Sequence, residues 1–131
     1  MPSNRSRCRR GPWLTAAALL VCAPANAEPL APREAGARYG QALGALEVCY
    51  GSKLTPKADA LSAAYTGTDL EAFKAEAAKI FDAWAAVRGC TRQNDPNQCK
   101  IIMDKSCLAA EAEIGAAGTA MPGLVEFLKH E

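Results

Sequence analysis

The chain has very little histidine: one residue in 131, His130, beside the C-terminus. This argues against the Cys/His and Ser/His/Asp sets that activate a catalytic nucleophile. The cysteines contain no C-x-x-C pair, which argues against a zinc finger, a thioredoxin-like redox pair and a c-type haem. We therefore expect no enzyme and no cofactor; acid–base catalysis by paired Asp and Glu residues is a distant alternative.

Long apolar runs are also missing. The longest, residues 13–21, has about nine residues, whereas a membrane-spanning helix needs about 20. It follows a basic stretch that ends at Arg9-Arg10 and precedes Ala25-Asn26-Ala27, the small-x-small pattern that precedes a cleavage site. Residues 1–27 therefore fit a cleavable secretion signal peptide, of the general or the twin-arginine type, and a periplasmic or secreted protein of a bacterial envelope without a membrane span after cleavage.

Basic runs are absent after residue 27. Residues 28–131 contain 11 Lys and Arg and 14 Asp and Glu, a net charge of −3. A mildly acidic surface of this kind argues against nucleic acid and anionic lipid as partners.

Sustained strand alternation is missing, whereas helical periodicity recurs. After an extended leader at 28–33, the patterns predict helices over 34–50, 56–65, 68–88, 96–114 and 122–128. The fold predicted for 34–131 is a single all-α domain: a small disulfide-stapled bundle of three longer and two short helices.

Local motifs place the helix ends. Thr55-Pro56 and Asp95-Pro96 each join an N-cap residue to a proline at the first helical position. Thr68 and Glu71 have the spacing of a capping box. We expect the predicted helices to start at these motifs.

The helices carry apolar stripes and one stripe of glycines. Gly36, Gly40 and Gly44 recur every four residues in the first helix and indicate a close approach to another helix. The expected inward stripes are Tyr39, Leu43, Leu46 and Tyr50, with Ala42 and Cys49 beside them, in the first helix; Phe73, Ala77, Ile80, Phe81, Trp84 and Val87 in the third; and Cys99, Ile102, Met103, Ser106, Ala110 and Ile114 in the fourth. We expect most of the aromatic residues to belong to the core.

Export leaves four cysteines, Cys49, Cys90, Cys99 and Cys107, which are expected to form two structural disulfides. Cys99 and Cys107 are eight residues apart in one predicted helix, or about 12 Å, beyond the roughly 7 Å that a disulfide tolerates. Two pairings remain. We favour Cys90–Cys99 with Cys49–Cys107, because Cys90 and Cys99 flank the connection between two neighbouring helices. The alternative is Cys49–Cys99 with Cys90–Cys107.

Oxygen ligands cluster in and after the connection that leads into the fourth helix. Asp95, Asn97, Asp104 and Glu111 are candidate ligands for a hard cation such as Ca²⁺ or a lanthanide. The leading hypothesis is a small exported binding or protein-interaction module, whose partner is a protein or small ligand of the periplasm. The alternative is a periplasmic metal-handling protein that binds hard cations through these carboxylates.

Overall fold

A computed structural model describes residues 30–90 and 95–129. The predicted signal peptide, the first two leader residues and His130 lie outside the described residues. In chain order the elements are α1 (Pro32–Val48), β1 (Lys53–Leu54), α2 (Pro56–Ser62), α3 (Gly67–Ala83), α4 (Ala85–Arg88), α5 (Pro96–Ile114) and β2 (Val125–Glu126). The fold is all-α, as predicted, and it also contains one very small sheet. The second short helix, however, is α4 and not the one expected near the C-terminus.

The glycine stripe of α1 lies directly against α3. A side-chain carbon at Gly36 would collide with the carbonyl oxygen of Phe73, and one at Gly40 with that of Ala77. Gly44 is equally close to the indole ring of Trp84. The close helix approach predicted from the glycine spacing is therefore confirmed, and its partner is α3.

The predicted inner stripe of α1 is correct for Ala42 and Cys49, which are buried, and for Tyr39, which packs against the core, but wrong for the larger residues that follow it. The fully buried α1 residues are small: Ala35, Gly36, Gly40, Ala42, Gly44 and Ala45. Tyr39, Leu43 and Leu46 are half-buried, because the glycine stripe occupies the face toward α3. Tyr50 leaves the stripe altogether because α1 ends at Val48.

Helix α3 begins and ends differently from the prediction. The Leu70 N–H donates to the Thr66 carbonyl, which closes the first helical turn before Thr68. Thr66 is therefore the N-cap residue, without a side-chain bond, and the predicted capping box is wrong. At its other end α3 stops at Ala83, and α4 follows after Trp84.

Helix α5 has the predicted bounds. The Asn97 N–H donates to the Asp95 carboxylate at 2.9 Å, so Asp95 is the expected N-cap. The predicted inner stripe is correct for Ala110 and Ile114, which are buried, and wrong for Ile102, which is 45% exposed. The buried part of α5 is thus its C-terminal half.

The C-terminal segment forms a strand where a helix was predicted. Val125 and Glu126 pair antiparallel with Leu54 and Lys53. Gly123 has φ +81°, a left-handed conformation that ends any helix through 122–128. The expectation of no strands is therefore also wrong.

Thr55 ties this C-terminal segment to the start of α2. Its N–H donates to the Leu124 carbonyl at 3.1 Å, and its hydroxyl donates to the Gly123 carbonyl. Thr55 is the N-cap residue of α2 as predicted, but its side chain makes no bond to that helix. The segment is thereby held beside the C-terminal end of α1.

Candidate binding groove

Two disulfides connect the helices in the favoured pairing. Cys49 at the end of α1 pairs with Cys107 in α5, with Cα atoms 5.7 Å apart. Cys90 pairs with Cys99, with Cα atoms 5.6 Å apart, and joins the end of α4 to the first turn of α5. Disulfides persist in oxidising compartments, so these two disulfides indicate a location outside the reducing cytosol.

A groove of about 480 Å³ lies beside the Cys49–Cys107 disulfide. Three segments line it: the end of α1, the outer side of α5, and the residues that follow β2. The lining residues are Val48, Cys49, Tyr50, Lys100, Met103, Asp104, Cys107, Leu108, Glu111, Phe127 and Leu128. Its volume falls within the range of pockets that bind small molecules or anchoring side chains.

The turn after α1 shapes one wall of the groove. Gly51 has φ +73°, which only glycine adopts readily, and it turns the chain away from the helix direction. The Leu128 side chain lies against Gly51 so closely that a side-chain carbon at position 51 would overlap it. The tight contact sets Leu128 beside Tyr50.

Large apolar side chains stand exposed around the groove. Tyr50 is 90% exposed, Leu108 65% and Leu128 48%, and the three come from three different segments. Phe127 and Met103 are half-buried in the same lining. The groove therefore has an apolar wall with projecting side chains.

Helix α5 supplies the charged edge of the groove. Lys100 pairs with Asp104 one helical turn later. Glu111 lines the groove farther along α5 and forms no salt bridge within the described part of the chain. This edge thus carries an ion pair near the start of α5 and the negative charge of Glu111 near its end.

The four candidate metal ligands are not brought together as one ligand set. Asp95 caps α5, and Asn97 supplies the N–H that it accepts. Asp104 is paired with Lys100, and Asp104 and Glu111 both line the groove. Among residues 30–90 and 95–129 no group of three or more His, Cys, Asp or Glu side chains has metal-binding geometry.

A second aromatic group lies at the opposite end of α1 and belongs to the core. The Phe73 ring lies 5.3 Å from both the Tyr39 and the Tyr65 rings, measured between centroids. The Tyr65 hydroxyl donates to the Leu30 carbonyl at 2.6 Å. Burial, and secondarily the Asp69 carboxylate, raises the pKa of the Tyr65 phenol above its usual value. These rings are core residues, as the sequence predicted.

Sequence reasoning missed Tyr50 and the groove. It ended the first helix at Gly51 and so kept Tyr50 as its last inward residue, whereas α1 already ends at Val48. It also placed Phe127 and Leu128 on a docking helix, although Pro122-Gly123 is a turn signal. The Pro122-Gly123 signal would have placed the last residues outside a helix, whereas no local signal moves Tyr50 out of α1.

The fold and the groove together define a small disulfide-stapled all-α domain with an apolar groove at one disulfide. No helix within 30–90 and 95–129 is both long and apolar enough to cross a bilayer. Comparison with protein-family models, curated proteins and solved structures finds no match to this chain.

Proposed function

We propose that this protein is an exported, non-enzymatic interaction module that binds a partner protein through the groove beside the Cys49–Cys107 disulfide. The observation that carries the proposal is the exposure of Tyr50, Leu108 and Leu128 at a single groove. Exposed apolar side chains that cluster in this way are typical of interaction sites, because water solvates them poorly. Aromatic anchors next to a pocket contribute strongly to protein interfaces.

The disulfide supports binding by holding the groove in shape. Cys49 and Cys107 both line the groove and link its α1 and α5 walls covalently. A site that is rigid before binding loses less conformational entropy when the partner docks. The disulfide therefore has a role in binding as well as in stability.

The proposed location is the periplasm. The two disulfides fit an oxidising compartment, and the residues before the described region have the pattern of a signal peptide. The partner is accordingly a protein of the same compartment.

Affinity capture from the exported fraction tests the proposal. A tag inserted between Ala27 and Glu28 precedes Leu30, and Leu30 stands before the start of α1, whereas the groove is at the end of that helix. The groove variant is Leu108→Asp. The matched control is Ala109→Asp, which adds the same charge at the next exposed residue, outside the groove lining.

We expect wild type and Ala109→Asp to capture the same defined protein, identified by mass spectrometry, in equal amounts. Leu108→Asp should capture at least about tenfold less of it, which corresponds to a loss of roughly 1.4 kcal/mol in binding free energy. The proposal is overturned if no protein is captured, or if Leu108→Asp captures as much of it as wild type does. A parallel arm with a chelator tests the metal-handling alternative, which would have to use Asp104 and Glu111 in the same groove. Loss of capture with chelator would favour that alternative.

A further inference from the structure

The charges that line the groove do not balance. Lys100 is the one cationic residue among the described residues of the lining, and Asp104 already pairs with it. Glu111 is exposed and forms no ion pair within residues 30–90 and 95–129. Glu113, two residues later in α5, is instead compensated by Arg38. The lining therefore keeps one negative charge, at Glu111, that no basic side chain neutralises.

The end of α1 adds negative potential to the same groove. The last carbonyl groups of a helix form the negative end of its dipole, which favours a nearby cation. Helix α1 has no basic residue in its last turn, and Val48 and Cys49 at its end line the groove. Ser52 donates its hydroxyl to the Ala45 and Cys49 carbonyls but adds no charge. The backbone therefore acts in the same direction as Glu111.

Tyr50 supplies a third group that favours a cation. It follows directly on this helix end, lines the groove and is 90% exposed. The face of an aromatic ring attracts the ammonium of Lys or the guanidinium of Arg. A carboxylate, a helix C-terminus and an exposed ring thus select the same ligand group. The apolar residues Met103, Leu108 and Phe127 of the lining select a bulky apolar group beside it.

The shape of the groove favours a segment of a protein chain over a small molecule. Tyr50, Leu108 and Leu128 project from three different segments and are 90%, 65% and 48% exposed. Small-molecule sites usually enclose most of the surface of their ligand. A small ligand on the floor of this groove would leave the three projecting side chains in water, whereas a segment that lies across the groove covers them.

We infer that the groove binds a basic segment of its partner protein, in which a bulky apolar side chain enters beside the Cys49–Cys107 disulfide and a neighbouring Lys or Arg pairs with Glu111. The inference rests on the proposed function and adds the chemistry of the partner. An acidic segment would meet Glu111 and the negative end of α1, and Lys100 is already held by Asp104. Charge complementarity therefore favours the basic segment.

Peptide selection tests the inference on oxidised protein purified from the exported fraction. A library of random peptides displayed on phage is selected in parallel on wild type, Glu111→Lys and Glu71→Lys. Peptides that also bind Leu108→Asp are discarded, because they do not use the groove. Glu71→Lys is the matched control, since it makes the same charge change at an exposed residue of α3 outside the groove lining. Circular dichroism confirms that each variant is folded.

Wild type and Glu71→Lys are expected to enrich peptides in which Lys or Arg stands close to an aromatic or large aliphatic residue. Glu111→Lys should lose this preference and enrich acidic peptides, because the charge of the site is reversed. A basic peptide selected on wild type and labelled with a fluorophore should bind Glu111→Lys at least about tenfold more weakly than wild type or Glu71→Lys.

The inference is wrong if the Leu108-dependent peptides carry no excess of basic residues, or if the excess is the same on Glu111→Lys. The groove then still binds protein segments, and the proposed function stands. The inference also fails if no Leu108-dependent peptide is found. Binding of a fluorescent quaternary ammonium dye would then assign the groove to a small ligand, and twice the monomer mass in light scattering would assign it to a second copy. The proposed function fails separately, if Leu108→Asp captures as much partner protein as wild type does.

Discussion

Gly40 of α1 lies so close to the backbone carbonyl of Ala77 in α3 that no side-chain carbon fits between them. Gly36, one helical turn earlier, makes the same contact with the carbonyl of Phe73, and Gly44, one turn later, lies against the indole ring of Trp84. At Gly36 and Gly40 the two helices therefore meet backbone to backbone, which lets a chain rich in small residues pack tightly.

This contact predicts whether a Gly→Ala substitution at position 40 raises or lowers the stability of the fold. In a free helix Gly→Ala stabilises by about 1 kcal/mol. At Gly40 the added carbon must push α1 and α3 apart, and overpacking of this kind costs about 1–3 kcal/mol. We expect Gly40→Ala to lower the free energy of unfolding, measured by urea titration. Ala78→Gly, on the exposed side of α3, is the propensity control, with an expected loss of about 1 kcal/mol. Stabilisation by Gly40→Ala would contradict the close contact.

The two disulfides should differ in their contribution to stability. Cys49–Cys107 closes a separation of 58 residues and Cys90–Cys99 one of 9. Loop-closure entropy predicts losses of about 4 kcal/mol for the first and about 2.5 kcal/mol for the second when each pair is replaced by Ala. Urea unfolding of the two double variants measures the difference. Equal losses would show that the longer loop is already restricted in the unfolded chain.

We expect the stability of the fold to depend on the hydroxyl group of Thr55 rather than on the shape of its side chain. Thr55→Val keeps the volume but leaves the Gly123 carbonyl without this donor, at a cost of about 1–2 kcal/mol in the free energy of unfolding. Thr55→Ser keeps the hydroxyl and is the matched control. The expected signature is faster amide exchange at Leu124 and Val125 in Thr55→Val only. If amide exchange at Leu124 and Val125 is unchanged in Thr55→Val, Thr55 does not anchor the C-terminal segment.

The raised pKa of Tyr65 predicts that the protein loses stability at alkaline pH. Its folded pKa is raised, so above about pH 10 the unfolded chain releases the phenol proton while the folded chain still holds it, and the free energy of unfolding falls. Tyr65→Phe loses the bond to Leu30, about 1 kcal/mol at neutral pH, but escapes this alkaline loss. The gap between wild type and Tyr65→Phe should therefore narrow above pH 10.

Urea titrations at pH 8 and above pH 10 measure this gap. Tyr50→Phe is the control for the loss of a phenol outside the core, because Tyr50 is 90% exposed. A gap that stays constant or widens with pH would contradict the raised pKa of Tyr65.

Local signals predicted much of the helical framework. Asp95-Pro96 placed the start of α5 correctly, because capping depends only on neighbouring residues. The eight-residue spacing of Cys99 and Cys107 removed one disulfide pairing, because helical rise alone separates them.

The remaining features depend on contacts between distant segments. β2 exists because Thr55 and β1 hold the chain after Gly123, and periodicity within 122–128 cannot show this. Part of the buried face of α1 was mispredicted because backbone contact with α3 outweighs the larger side chains at Leu43 and Leu46. The groove was missed because it lies where α1 ends and where the C-terminal segment passes, and both of these regions were mispredicted.

The most direct test of the account is site-specific photo-crosslinking at Tyr50 in the exported protein inside cells. A photoreactive phenylalanine analogue at position 50 should give one discrete cross-linked species, and Leu108→Asp should abolish it. The analogue at exposed position 78 of α3 should give none. If position 50 gives no adduct, or the same adducts as position 78, the groove is not the contact surface of this protein.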